Sequence, residues 1–297
     1  MLIRRYRGPA DDPGLVRLRA AVRAAEPGAW LPERPDSLIA EDDDGVIAGY
    51  GWLDWWDEAD GTRLFLLAGR IDPARRRRGL GRALLSRQED EAAELWRRDP
   101  SAERALLGGN ADPGQPAARA LLTAAGYRVR FTVVDLACDP TEVEEPEAEI
   151  PSSLELRPVE PGHHPAIYAA VTACFADSRL GQVLITYADY LEEVQEPDLR
   201  LVAWDDEGVA AVVINEVLSE GVADTPWVAV LPRRRRQGLA AALLRRNFAV
   251  LASHGIREAR IRTVQENPNK TVKLYESLGY RVTGRLPRYA KPLTPKR

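Results

Sequence analysis

The chain has 297 residues, 45% of them hydrophobic and 29% charged, with a net charge of −4: an ordinary globular composition, long enough for about two domains. No apolar run approaches the roughly 20 residues of a membrane-spanning helix, and the opening segment MLIRRYRGPADDPG has no apolar export core, so a soluble cytoplasmic protein is expected. Two cysteines, Cys138 and Cys174, show no metal-ligand spacing with His163, His164 or His254, so neither a disulfide framework nor a metal site is expected.

In chain order, GVIAGYGWL and TRLFLLAGRI read as strands, and GLGRALLSRQEDEAAELWRR and PAARALLTAAG as helices. The stretch CDPTEVEEPEAEIPSS, rich in Pro and Glu and without period, reads as an exposed linker. Beyond it LELRPV is a short strand and HPAIYAAVTACFAD a helix. Strands LRLVAW and VAAVVINEV are joined across Asp205, Asp206, Glu207 and Gly208, residues suited to a hairpin turn. Strand TPWVAV, a helix over QGLAAALLRRNFAVLASHG stopped at Gly255, strand IREARIRTV, a short helix in NKTVKLYESLG and strand YRVTGRLP complete the chain. The fold class is α/β (α+β): two units, each a mixed, mainly antiparallel sheet flanked by helices.

An internal repeat organises these elements. IDPARRRRGLGRALL aligns with VLPRRRRQGLAAALL, and Pro73 and Pro232 stand as far apart as Gly79 and Gly238. Further on, LLTAAGYRVRF echoes LYESLGYRVTG at a slightly shorter interval. The expected domains are 1–140 and 152–297, with residues 141–151 as the acidic linker.

Each arginine run joins a strand to a helix, whose first backbone N–H groups have no intrahelical acceptor and carry the positive end of the helix dipole. Gly79 and Gly81, or Gly238 and Ala240, let an anion approach the main chain, and the flanking arginines suit a pyrophosphate. Neither GxxxxGK[ST] nor GxGxxG is present. The positive charge is local, which fits a compact anionic ligand better than nucleic acid or a solvated surface.

What remains is P-x-x-R-x-x-G-x-G/A after a strand, in two copies, and it resembles the acetyl-CoA pyrophosphate loop of GNAT N-acetyltransferases. The resemblance covers most of the chain and implies acetyl-CoA as donor. It implies contacts from Arg76, Arg77, Arg78, Gly79, Leu80 and Gly81 in the first half, and from Val230, Arg235, Arg236, Gln237, Gly238, Leu239 and Ala240 in the second. By the same resemblance the strand before the loop splays from its neighbour to pair with the pantetheine arm.

In the second half, ENPNKTVKLYESLGY resembles the family segment in which an asparagine, here Asn267, contacts pantetheine or the acetyl group. A tyrosine there, here Tyr275, protonates the departing thiolate. The bland reading of Tyr275 is a core aromatic. At its place the first half carries Leu122, which cannot donate a proton, and Asn110 matches Asn267 poorly. The first half is therefore expected to be catalytically degenerate. Glu216, at the end of VAAVVINEV, is the first candidate for a general base, with Asp224 and Glu220 in the following connection.

The expected activity is direct acetyl transfer to a primary amine of a small molecule, with no nucleic-acid or membrane partner, by a monomer that imitates a dimer or by a homodimer. Two clusters could receive a cationic acceptor: Trp52, Asp54, Trp55, Trp56 and Asp57, or Tyr187, Asp189, Tyr190, Glu192 and Glu193. Tandem members of the family include mycothiol synthases and antibiotic-modifying enzymes, and no motif selects between them. The competing reading is a CoA-binding sensor or scaffold without turnover.

Overall fold

The structure, a computed structural model, describes residues 1–143, 150–175, 186–194 and 197–294. It divides into two units, one of residues 1–130 and 287–297, the other of residues 131–286.

In the first unit, β1 (Leu2–Arg5), β2 (Leu38–Glu41), β3 (Ile47–Asp57) and β4 (Thr62–Ile71) form an antiparallel run, and β5 (Arg104–Asn110) joins β4 in parallel. On one face lies α1 (Asp12–Ala25), whose Leu15, Leu18 and Val22 recur at helical spacing and bury against Ile39, Tyr50 and Trp52. On the other lie α2 (Leu80–Arg98) and α3 (Pro116–Ala124), which cover Phe65, Leu67 and Leu107 with Leu85, Ala92 and Leu122.

The second unit repeats this plan with β7 (Glu155–Leu156), α4 (His164–Phe175), α5 (Tyr187–Glu193), β8 (Arg200–Asp205), β9 (Gly208–Ser219), β10 (Val222–Val230), α6 (Leu239–Ser253), β11 (Glu258–Val264) and α7 (Thr271–Ser277). β7 to β10 pair antiparallel, and β11 joins β10 in parallel. The hairpin read from the sequence is there: Asp205 pairs with Gly208 across Asp206 and Glu207. Two cores flank this sheet, one under α6 and α7 and one under α4 and α5.

The closing strands are exchanged along the chain. Of β6 (Arg128–Cys138), which follows α3, residues 133–138 pair antiparallel with β11. Of the last strand, β12 (Arg281–Pro292), residues 288–292 pair antiparallel with β5. Side-chain burial follows the pairing: Val134 and Leu136 sit in the second unit's core, Tyr289 and Leu293 in the first's. The units therefore divide at residues 130/131 and 286/287, not within the acidic stretch. Val143 and Ile150, at the ends of that stretch, pack against the second unit's core, and residues 144–149 between them lie outside the described residues.

Candidate active site

The two arginine-glycine loops have one backbone. Pro73–Arg75 and Pro232–Arg234 each make a single 3-10 turn, and Arg76 and Arg235 are then extended. Arg77 (φ 66°) and Arg236 (φ 64°) turn left-handed, as do Gly79 (φ 86°) and Gly238 (φ 77°), the residues that open α2 and α6. A left-handed arginine costs about 1 kcal/mol or more, so its recurrence marks a built loop. No side chain caps either helix. A Cβ on Gly79 or Gly238 would touch nothing within 4 Å, so glycine answers the φ there and keeps the approach to the first amides free. Leu80 and Leu239 are buried and offer a ligand only their backbone.

The arginines divide their work. Arg75 pairs with Asp42; Arg233 and Arg234 each reach Asp205 at 2.8 Å. Asp42 and Asp205 open the matching turns DDDG and DDEG, so in each unit a hairpin carboxylate pins the loop. The two guanidiniums hold Asp205 down at about pKa 2. Gln237 donates to the Arg233 carbonyl at 3.3 Å. Arg76 and Arg235 both reach back to the strand, their Nε donating to the carbonyls of Ile71 (3.3 Å) and Val230 (3.0 Å). Arg76 also pairs with Glu26 at 2.5 Å, whereas among the described residues Arg235 meets no carboxylate. Arg77, Arg78 and Arg236 are exposed.

Each loop is fed by a strand with an open edge. β4 pairs with β5 only from Thr62 to Leu66, and β10 with β11 only from Val222 to Asp224. Beyond these pairs, no strand among the described residues pairs on that side with residues 67–71 or with residues 225, 226 and 228–230, which leaves backbone groups for an extended ligand. The first edge is regular, since the β3–β4 ladder is continuous from Asp57–Arg63 to Gly49–Ile71. The second is bulged: between the pairs Asp224–Glu216 and Trp227–Ile214, β10 holds one residue more than β9. A buried network fixes that bulge. The Thr225 hydroxyl donates to Asn215 Oδ1 (2.8 Å), which also accepts from Asn247 Nδ2 (3.0 Å), and Asn215 Nδ2 donates to Asn247 Oδ1 (2.8 Å) and the Leu199 carbonyl (2.9 Å). In the first unit Gln88, also on the helix after the loop, donates to the carbonyls of Trp52 and Ala68, each at 2.7 Å.

Asp224 is the last paired residue before the second edge opens. It lies within β10, not in a connection as the sequence suggested. Burial raises its carboxyl above the usual range, the Arg262 guanidinium opposes this, and the carboxylates of Glu216 and Asp135 add to it. Glu216 stands opposite Asp224 in the ladder and is exposed. The first unit has Leu66 at the last paired position.

Tyr275 is 5% exposed, with its ring centroid 5.9 Å from that of Tyr280, and burial alone pushes its phenol well above the ordinary value. Burial also pushes the Tyr280 phenol well above its ordinary value, and its ring packs on Phe248 at 5.5 Å. Tyr275 thus belongs to the core beneath the bulge, as Leu122 belongs to the first unit's core. Asn267 serves the turn into α7, its Oδ1 accepting from the Asn269 amide at 2.9 Å.

Among the described residues the acids of both candidate acceptor clusters are already engaged. Asp54 is paired with Arg34, and Asp57 with Arg63, which also lies over the half-exposed Trp55 ring at 4.4 Å; Trp52 is buried. Asp189 accepts from the amide and hydroxyl of Thr186 in a helix cap, and Tyr190 is buried in a group with Tyr168 and Tyr187. Tyr187 is partly exposed on α5, Glu192 is exposed and engaged, and the Glu193 side chain lies outside the described residues. Among the described residues no group of acids, histidines and cysteines is placed to hold a metal, and no helix is long and apolar enough to cross a membrane.

Comparison with known proteins agrees with this geometry. Residues 6–127 match the acetyltransferase (GNAT) family model, and residues 196–282 a second acetyltransferase (GNAT) domain model. A mycothiol acetyltransferase of Kineococcus radiotolerans is 30% identical over 253 residues, which cover 82% of this chain and 77% of that protein. Among solved structures, a GCN5-related N-acetyltransferase from Sphaerobacter thermophilus aligns over 100% of this chain and 96% of its own, with TM-score 0.72 and 24% identity. A tandem GNAT protein from the clavulanic acid biosynthesis pathway aligns over 100% and 99%, with TM-score 0.63 and 18% identity.

Proposed function

The chain belongs to the GNAT acetyltransferase family as a tandem-domain N-acetyltransferase, and we propose that its second unit moves an acetyl group from acetyl-CoA directly to a primary amine of a small molecule. The observation that carries this reading is the bulged open edge of β10, which has a half-buried carboxylate at its start and an uncapped helix at its end.

Acetyl-CoA, the donor, supplies an activated acyl carbonyl and a thiolate leaving group. The amides at Gly238, Leu239 and Ala240, with Arg235 and Arg236 beside them, suit its pyrophosphate, and residues 227–230 suit the pantetheine arm. Asp224, in place of Glu216, takes the proton from the attacking amine; its raised pKa suits a base working nearer neutrality than a solvated carboxylate. A backbone N–H near Val230 holds the oxyanion formed when the C–N bond is made. Tyr275 returns a proton to the sulfur as the C–S bond breaks. Its burial keeps the phenol protonated at working pH. The first unit, with Leu66 and Leu122 at the two chemical positions, holds a loop without the acid or the base.

Similarity to proteins named mycothiol acetyltransferase favours a mycothiol-synthase-like acceptor over an antibiotic. The reading includes a cytoplasmic location and a monomer or homodimer without a nucleic-acid partner. Thiol release from acetyl-CoA with a panel of amines tests it. Amine-dependent release with saturation is expected; tight CoA binding with no turnover on any amine would replace it with the sensor reading.

A further inference from the structure

On the α1 face of the first unit lies a group of donors that neither the loop nor the proposed chemistry uses. Tyr50 and Arg70 stand opposite each other in the β3–β4 ladder, so their side chains leave the sheet on one face. The Tyr50 ring stacks on Trp52 at 5.5 Å, and Trp30, 62% exposed, lies edge-on to Trp52 at 5.4 Å. The Arg19 guanidinium, from α1, is 5.5 Å from the Tyr50 ring centroid, and that of Arg70 is 5.9 Å from the Trp52 centroid.

Tyr50 is 0% exposed, with the Arg19 guanidinium beside its hydroxyl, and among the described residues no acceptor meets the buried Nε of Arg19 or of Arg70. Charged donors so placed are costly to bury without an acceptor. Nearby acids do not answer them. Arg34 engages Asp54 and Arg76 engages Glu26, while Glu33 meets Arg19 at its other end from a largely exposed position. Among the described residues Arg70 donates to the carbonyls of Gly69 and Trp30 and meets no carboxylate. The face thus presents convergent donors and excess positive charge beside two indole rings. A cationic amine would be repelled, whereas an oxyanion would satisfy the donors.

We propose that this face of the first unit is a binding site for a small organic oxyanion, a carboxylate or a phosphate monoester with a flat body, held by Arg19, Arg70 and Tyr50 and flanked by Trp30 and Trp52. The site lies beside the open edge of β4, which includes Arg70. It is independent of acetyl transfer and stands whether or not the second unit turns over.

Titration of the full chain with benzoate, phenyl phosphate and benzylamine, followed by heat and tryptophan fluorescence, tests it. At least one of the two anions saturates the protein, and the tighter one identifies the oxyanion; benzylamine does not bind. Arg70→Gln and Tyr50→Phe each weaken that binding roughly tenfold. Tyr50→Phe removes one oxygen and keeps the ring stack, so it reports the donor even where Arg70→Gln disturbs folding. Absence of saturation by both anions, equal binding of benzylamine, or unchanged affinity in Tyr50→Phe would overturn the assignment.

Discussion

In both units a left-handed arginine and a left-handed glycine turn an open-edged strand into a helix that no side chain caps, but only in the second does the strand bulge and begin its open edge with an acid. The shared part is made of backbone and needs little more than glycine and a pinning carboxylate on the hairpin. The unshared part is made of side chains: Asp224 against Leu66, Tyr275 against Leu122. Under the proposed function the same loop stands in a catalytic unit and in a unit without the acid or the base, so the loop motif alone does not tell the two apart.

The comparison is tested most severely at Asp224. Asp224→Asn should lower kcat by about 10²- to 10⁴-fold with little change in KM for acetyl-CoA. Wild-type rate should rise with pH as this carboxyl loses its proton, with a midpoint above the usual carboxylate range because burial raises its pKa. A variant that keeps the acid limb of that profile would show that the base lies elsewhere. Tyr275→Phe should cost about 10²-fold in kcat while the thermal midpoint holds, since the ring still fills the core. Steady-state rates and a melting curve on the same sample decide it.

Smaller effects probe the scaffold. Thr225→Val keeps the shape but removes the hydroxyl that donates to Asn215 at the bulge, and should cost about 1–3 kcal/mol of stability. Its kcat should fall while KM for acetyl-CoA stays, because the edge is displaced and the loop is not. At Asp205 the folded-state pKa is depressed to about 2. Its contribution is thus fully present above the unfolded-state pKa near 3.8 and is lost as pH falls towards 2. In Asp205→Asn, denaturant melts across that window should lose this part of the acid dependence.

Much of this was legible in the sequence. The repeat, the two loops and the Asp205–Gly208 hairpin are set by local spacing and glycine φ, which sequence displays directly. The exchange of β6 and β12 was hidden, because which strand a strand pairs with depends on residues more than a hundred positions away. Asp224 was misplaced for a local reason. Pro226 and the extra residue of the bulge break the period of two, so TPWVAV reads as the whole strand although it starts at Val222. The carboxylates that pin the loops were visible as the recurring DDDG and DDEG, but their partner was not, since it lies across the sheet from the turn. The tryptophan-rich stretch, which density alone suggests as packing, is divided by strand alternation, which sends Trp52 and Trp55 to opposite faces, and arginines hold its acids.

The most direct test places the same lesion in each loop and measures acetyl-CoA turnover side by side. Gly238→Asp puts a carboxylate and an unfavourable φ where the donor's phosphates would lie, and Gly79→Asp does the same in the first unit. Turnover should fall at least roughly tenfold in Gly238→Asp and stay within about twofold of wild type in Gly79→Asp. Loss of turnover in Gly79→Asp with Gly238→Asp unaffected would put the chemistry in the first unit and contradict the account.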